Sequence, residues 1–177
     1  MAARKVYFTE YSSELGPLTL AATSNGLCSI QFGKASQTYP GIKAWMNRRS
    51  IGSELVECSR SFSNTVQQLD EYFHRNRHSF DLDLDVYGTT FQRLVWKELA
   101  SIPYGETCPY KVVAERIGAP KAVRAVGAAN NKNPLPIIFP CHRVIGSNGS
   151  MVGYGGGLDK KEFLLKLEAD SKKVSSL

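Results

Sequence analysis

The chain has 177 residues, 42% of them hydrophobic and 21% charged, with a formal net charge of +6. That is enough apolar material for one large core or two small ones, and no run approaches the length of a membrane span. The opening Met1-Ala2-Ala3-Arg4-Lys5-Val6-Tyr7 turns at once into strand-like alternation without the apolar stretch of a signal peptide. Cys28, Cys58, Cys108 and Cys141 are therefore expected to be reduced thiols of a cytoplasmic protein, or of a nuclear one if the source is eukaryotic.

Val6-Tyr7-Phe8, Leu18 to Ala22 and Leu27 to Phe32 read as short strands. Gly16-Pro17 and Ser24-Asn25-Gly26 separate them, the latter a tight-turn signal, so an antiparallel meander is expected. Phe62, Val66, Leu69, Tyr72 and Phe73 recur at helical spacing and predict a helix packed on that sheet, followed by an extended piece from Phe80 to Val86. At Tyr87-Gly88-Thr89-Thr90 the texture changes, which divides the chain into residues 1–86 and 87–177. Thr89 with Gln92 makes a capping box for a helix from Phe91 to about Ser101, stopped by Ile102-Pro103-Tyr104-Gly105. Tyr110 to Ile117 reads as the next helix, ended by Gly118, and Lys121 to Asn130 as a third after the turn at Ala119-Pro120. Helix, short glycine-containing turn and small-residue helix amount to a helix-turn-helix in an α+β chain. Beyond a last helix ending at Glu168, Lys172 to Leu177 read as a frayed tail.

Charge is unevenly distributed. Residues 1–90 carry 9 basic and 9 acidic side chains, whereas 91–177 carry 13 and 7. Lys111, Arg116, Lys121, Arg124, Lys132 and Arg143 have only Glu115 against them, a footprint suited to neutralising phosphates, although a solvated lysine-rich face has the same composition. The third helix offers Ala122, Ala125, Ala128 and Ala129 where a transcription factor would place base-reading polar side chains. It is suited to close, sequence-tolerant docking in a minor groove, or simply to tight packing.

Cys141 stands in Asn133-Pro134-Leu135-Pro136-Ile137-Ile138-Phe139-Pro140-Cys141-His142-Arg143-Val144. The prolines fix φ and remove donors, so the stretch is expected to be a rigid presenting loop rather than a helix or a central strand. A thiolate is the reactive form of cysteine, and Arg143 and His142 are expected to favour it by charge or as a base. Taken alone, Cys141 reads more readily as a buried structural thiol at a strand end. No Cys-x-x-Cys pair occurs, and His142 beside Cys141 is the one histidine next to a cysteine, so no metal and no cofactor is expected.

Pro140-Cys141-His142-Arg143-Val144, preceded by Asn133-Pro134 and followed by Gly153-Tyr154 and Glu168, resembles the O6-alkylguanine-DNA alkyltransferases, and the match runs from about Phe91 to Glu168. The resemblance implies a ribonuclease H-like N-terminal scaffold and a C-terminal helix-turn-helix domain that flips an alkylated guanine out of double-stranded DNA. Extrusion is required in any case, because a protein thiol cannot reach a base atom inside the stack. It implies Cys141 as the acceptor in an irreversible, one-turnover transfer, served by a Glu168–His142–water relay. Tyr110 would donate a proton to the leaving guanine, Asn133 would tie the nucleophile loop to the helix-turn-helix, and Arg124 would fill the space left by the flipped base. Ala125, Lys121, Lys111 and Arg143 are expected on the DNA side, and Tyr154, Gly155, Gly156 and Asn130 around the base pocket. Gly155 lacks the side chain many relatives carry there, and Asn130 replaces an apolar wall, so substrate range stays open, O4-alkylthymine included.

The protein is expected to act as a monomer without a membrane. Three other readings compete. An alkyltransferase-like lesion binder would share the helix-turn-helix but lack the cysteine. A helix-turn-helix regulator would need polar base readers and a dimerisation face, and a cysteine hydrolase would need a distant histidine, for which only His74 and His78 are available.

Overall fold

The fold is that of a computed structural model describing residues 4 to 174, with side chains as far as Ser171. It comprises two compact units, Met1–Tyr87 and Gly88–Leu177. No helix among the described residues is long and apolar enough to cross a membrane.

In the first unit β1 (Lys5–Ser13), β2 (Gly16–Thr23) and β3 (Gly26–Phe32) form the expected antiparallel meander, and β4 (Glu54–Glu57) joins the outer edge of β1 in parallel. Between β3 and β4 lies α1 (Ala35–Arg49), which the sequence did not announce. Pro40 and Gly41 interrupt its interior, and only Thr38, Ile42 and Met46 are buried, a stripe too thin to stand out. Packing overrides the poor propensity: Ile42 and Met46 join Val6, Ala21, Cys28 and Ile51 in one apolar cluster. The helix predicted from Phe62 to Phe73 is α2 (Ser63–Phe73), which buries Leu69, Tyr72 and Phe73. The extended piece after Phe80 bridges to β3 at Leu27–Leu84.

The second unit opens with α3 (Thr90–Leu99). Its Thr89 cap is built as the sequence predicts, with the Gln92 N–H donating to Thr89 Oγ1 at 3.2 Å and the Thr89 N–H to Gln92 Oε1 at 2.9 Å. α4 (Tyr110–Arg116) and α5 (Val123–Asn131) follow, joined by a turn in which Gly118 takes φ +74°, a left-handed value that glycine adopts without strain. Buried Trp96 locks α3 to α5 by donating from Nε1 to the Ala129 carbonyl at 2.8 Å. α6 (Leu158–Val174) runs on past Glu168 instead of ending there, so the tail read from Lys172 is helical as far as Val174. Ser175 to Leu177 lie outside the described residues.

Candidate active site

Two very short strands set the geometry. β5 (Cys108–Pro109) pairs in parallel with β6 (Val144–Ile145), Cys108 opposite Val144 and Pro109 opposite Ile145. Tyr110, which follows β5, and Cys141 to Arg143, which precede β6, are thereby drawn to the same short ladder although about thirty residues separate them. The loop from Asn133 to Pro140 buries Leu135, Pro136, Ile137 and Ile138. Ile137 is held at φ +76°, a costly conformation for a β-branched residue, which persists only where the surroundings fix it.

Asn133 does much of that fixing, in a different way from the one expected. Its Nδ2 donates to the Phe139 carbonyl at 2.8 Å, and its Oδ1 accepts from the Leu135 N–H at 2.9 Å. Both bonds close the loop on itself and neither side-chain bond reaches the helix-turn-helix, because the amide sits inside the loop's own bend.

Cys141 begins a 3₁₀ turn, Cys141–Arg143, and is only 4% exposed. Burial pushes its thiol up to about 11, opposed in turn by the Asn133 amide, the Lys161 ammonium and Tyr154. The expectation that the charge of Arg143 activates the sulfur is thus corrected, since its guanidinium is turned to Glu168.

Arg143 is engaged elsewhere. It is 5% exposed, donates from Nε and Nη2 to the two oxygens of Glu168 at 2.9 and 3.0 Å, and donates from Nη1 to the Ile102 carbonyl at 2.5 Å. Tyr104 covers it, ring centroid 5.6 Å from the guanidinium carbon. A buried fork holding a carboxylate has no donor directed at solvent, so the expected contact of Arg143 with DNA is withdrawn. Glu168 also accepts from the Gly105 N–H at 2.9 Å and from His142 Nε2 at 2.7 Å. Burial resists its ionisation, but His142 and Arg143 outweigh that and hold its carboxyl far below the usual range.

The state of His142 follows. Burial lowers its pKa against the pull of Glu168, so the ring is neutral. A neutral ring facing an ionised carboxylate keeps its proton on Nε2, and this leaves Nδ1 as the lone-pair acceptor. Nδ1 is buried and has no hydrogen-bond partner among the described residues.

Around the thiol stand three more polar groups. Tyr154 is 9% exposed, packed inward rather than presenting an open stacking face. Tyr110 donates its O–H to the Val152 carbonyl at 3.1 Å, with the Gly153 carbonyl at 3.4 Å, and burial raises its pKa. Lys161 was missed by sequence reasoning. It is fully buried, donates Nζ to the carbonyls of Val144 at 2.5 Å and Val152 at 3.2 Å, and meets no carboxylate among the described residues. In the sequence it sits in an ordinary charged helix start, Asp159-Lys160-Lys161-Glu162. The available signal was its spacing, since Lys161, Leu164 and Glu168 share one helical face and all three are buried.

Gly155 is exposed and Gly156 partly so, whereas Asn130 is 2% exposed on the inner side of α5. On the outer side, Arg124, Ala125 and Ala128 are exposed, as are Lys121 and Lys111 nearby. Small side chains beside Arg124 make a surface that approaches another molecule closely, with long cations projecting from it.

Two family models cover the chain, the 6-O-methylguanine DNA methyltransferase ribonuclease-like domain over residues 6–86 and the DNA binding domain of the same description over 90–170. The methylated-DNA–protein-cysteine methyltransferase of Methanosarcina barkeri is 46% identical over 94% of this chain and 99% of its own. That of Mycolicibacterium paratuberculosis is 45% identical over 92% of each. The crystal structure of Mycobacterium tuberculosis OGT in complex with DNA superposes with a TM-score of 0.79 at 42% identity, over 94% of both chains.

Proposed function

The chain belongs to the methylated-DNA–protein-cysteine methyltransferase family and is a DNA-repair alkyltransferase; from that premise we propose that Cys141 accepts the alkyl group from O6 of a guanine flipped out of duplex DNA. The observation that carries this reading is His142, whose Nε2 is engaged by Glu168 and whose Nδ1 is a buried acceptor with no protein partner, in the residue next to the thiol. Nδ1 takes the thiol proton through one bridging water, and the positive ring that forms is stabilised by the ionised Glu168. Arg143 and Gly105 keep that carboxylate ionised and aimed.

The thiolate attacks the alkyl carbon in line with the bond to O6. The electron pair of that bond passes to the guanine, which takes a proton from Tyr110 at a ring nitrogen. Lys161 serves the attack by holding positive charge near the sulfur and by fixing the carbonyls of Val144 and Val152. Asn133 holds the loop that presents Cys141, while Tyr154, Gly155, Gly156 and Asn130 border the base. Lys111, Lys121, Arg124 and Ala125 meet the DNA, Arg124 occupying the gap left by the flipped nucleotide. A thioether is the product, so each molecule repairs one lesion, in a reducing compartment where the four free cysteines persist.

The test is stoichiometric. Duplex DNA labelled in the O6-methyl group is incubated with excess and with limiting protein. Label should move to protein once per molecule, and not at all with Cys141→Ser. Repeated release of label into solution would mean hydrolysis, and DNA binding without label transfer would mean a lesion binder.

A further inference from the structure

A buried asparagine behind the phenol of Tyr110 has no place in the relay above. Asn130 lies on the inner face of α5, 2% exposed, and its Nδ2 donates to Tyr110 Oη at 3.4 Å. Its Oδ1 is buried without a hydrogen-bond partner among the described residues, so the amide is oriented through Tyr110 alone. A phenol oxygen has one proton to give and lone pairs to receive with. Here the proton is directed at the Val152 carbonyl and the lone pair faces the amide N–H.

We infer that Asn130 is a positioning residue for alkyl transfer, its side-chain N–H holding the Tyr110 oxygen while the phenol proton moves to the guanine. This rests on the reading of Tyr110 as proton donor. When the O–H swings from Val152 to a ring nitrogen, the released carbonyl is not orphaned, because Lys161 Nζ already donates to it at 3.2 Å. What remains on Tyr110 is a half-buried oxyanion, and loss of part of its hydration makes such a group costly without a donor. Asn130 supplies that donor, and its burial keeps water from replacing it. The same bond works against the burial and the Cys141 charge that otherwise hold the phenol proton too tightly.

The step balances without a further reactant. The bond from Cys141 Sγ to the alkyl carbon forms as the carbon–O6 bond breaks, and the electron pair passes to the guanine. Tyr110 gives the guanine a proton, and His142 holds the one from the thiol. After the guanine leaves, that proton returns to Tyr110 through solvent, so the alkyl group has replaced the thiol hydrogen and nothing is oxidised.

A double-mutant cycle on the full chain tests the inference. Single-turnover transfer from O6-methylguanine duplex is timed for the wild type, Asn130→Leu, Tyr110→Phe and the pair, with thermal melting to establish that each is folded. Asn130→Met, whose pliable chain fills the same space, repeats the cycle where Leu unfolds the protein. Loss of a hydrogen bond to a charged oxygen should slow Asn130→Leu by about 10- to 100-fold. The double variant should then be no slower than Tyr110→Phe alone. Equal slowing in both backgrounds, or none in the wild-type background, overturns the role of Asn130. If Tyr110→Phe alone keeps the wild-type rate, Tyr110 is not the donor, a failure of the proposed reaction that is visible before any Asn130 variant is made.

Discussion

Cys28 and Cys141 are both buried thiols, one in the sheet of the first unit and one in the 3₁₀ turn of the second, and burial is the leading influence on each. Their neighbours differ in sign. Cys28 donates to the Ala21 carbonyl at 3.4 Å, and the charge of Asp85 reinforces burial, so its thiol is pushed up to about 12. Around Cys141 an amide, an ammonium and a phenol all oppose burial. The polar groups near Cys28 are also mutually satisfied, Asp85 accepting from Thr23 at 2.5 Å and Tyr87 at 2.7 Å, whereas near Cys141 the Nδ1 of His142 and the Oδ1 of Asn130 have no partner among the described residues. A buried cysteine becomes a candidate nucleophile through its partners, since burial by itself disfavours the thiolate.

The sharpest break in this comparison is chemical. Cys141→Ser should abolish transfer, while Cys28→Ala should keep the wild-type rate and lose only about 1–2 kcal/mol of stability through a small core cavity, as read by denaturant unfolding. Similar rates for the two variants would remove the distinction between the thiols.

Next in size is the carboxylate beneath the site. Glu168→Ala leaves Arg143 as a buried cation without its anion and should cost about 3–5 kcal/mol. The Glu168 carboxyl titrates below its unfolded value, so its contribution is complete above the unfolded pKa of about 4.3 and is lost as pH falls further. The gap between wild type and variant in urea unfolding should therefore narrow below that pH, whereas a constant gap would mean that packing dominates.

At the alkaline end the sign reverses. The folded Cys141 thiol keeps its proton to about 11, against an ordinary value of 9.0, so the unfolded chain releases that proton first and stability falls in between. Relative to Cys141→Ser, the wild type should lose about 2–3 kcal/mol across that interval. Cys28 titrates in both proteins and cancels.

The smallest expected effect isolates charge from shape. Lys161→Met removes the ammonium that lowers the Cys141 pKa, so the thiol should titrate still higher and transfer near neutral pH should slow about tenfold. Its pH–rate profile should move to higher pH. A slowing that is the same at every pH would assign Lys161 to loop packing alone.

Local order was readable from local pattern. The strand alternation from Val6 to Phe32, the Thr89–Gln92 cap, the turn at Gly118 and the Cys141-His142 pair depend on neighbours within a few residues, and each stands where those neighbours put it. α1 escaped because Pro40 and Gly41 mask a helix that only packing stabilises. The sequence by itself determined the α+β class, the family and the nucleophile candidate. Tertiary structure alone decided that Arg143 turns inward to Glu168, that Lys161 is buried near the thiol and that Asn130 meets Tyr110. Arginine, lysine and asparagine default to solvent in any sequence reading. Their desolvation is repaid only when partners 9 or more residues away in sequence are brought into hydrogen-bond range, and the parallel pairing of two-residue β5 with β6 that draws the site together has too little sequence of its own to signal it.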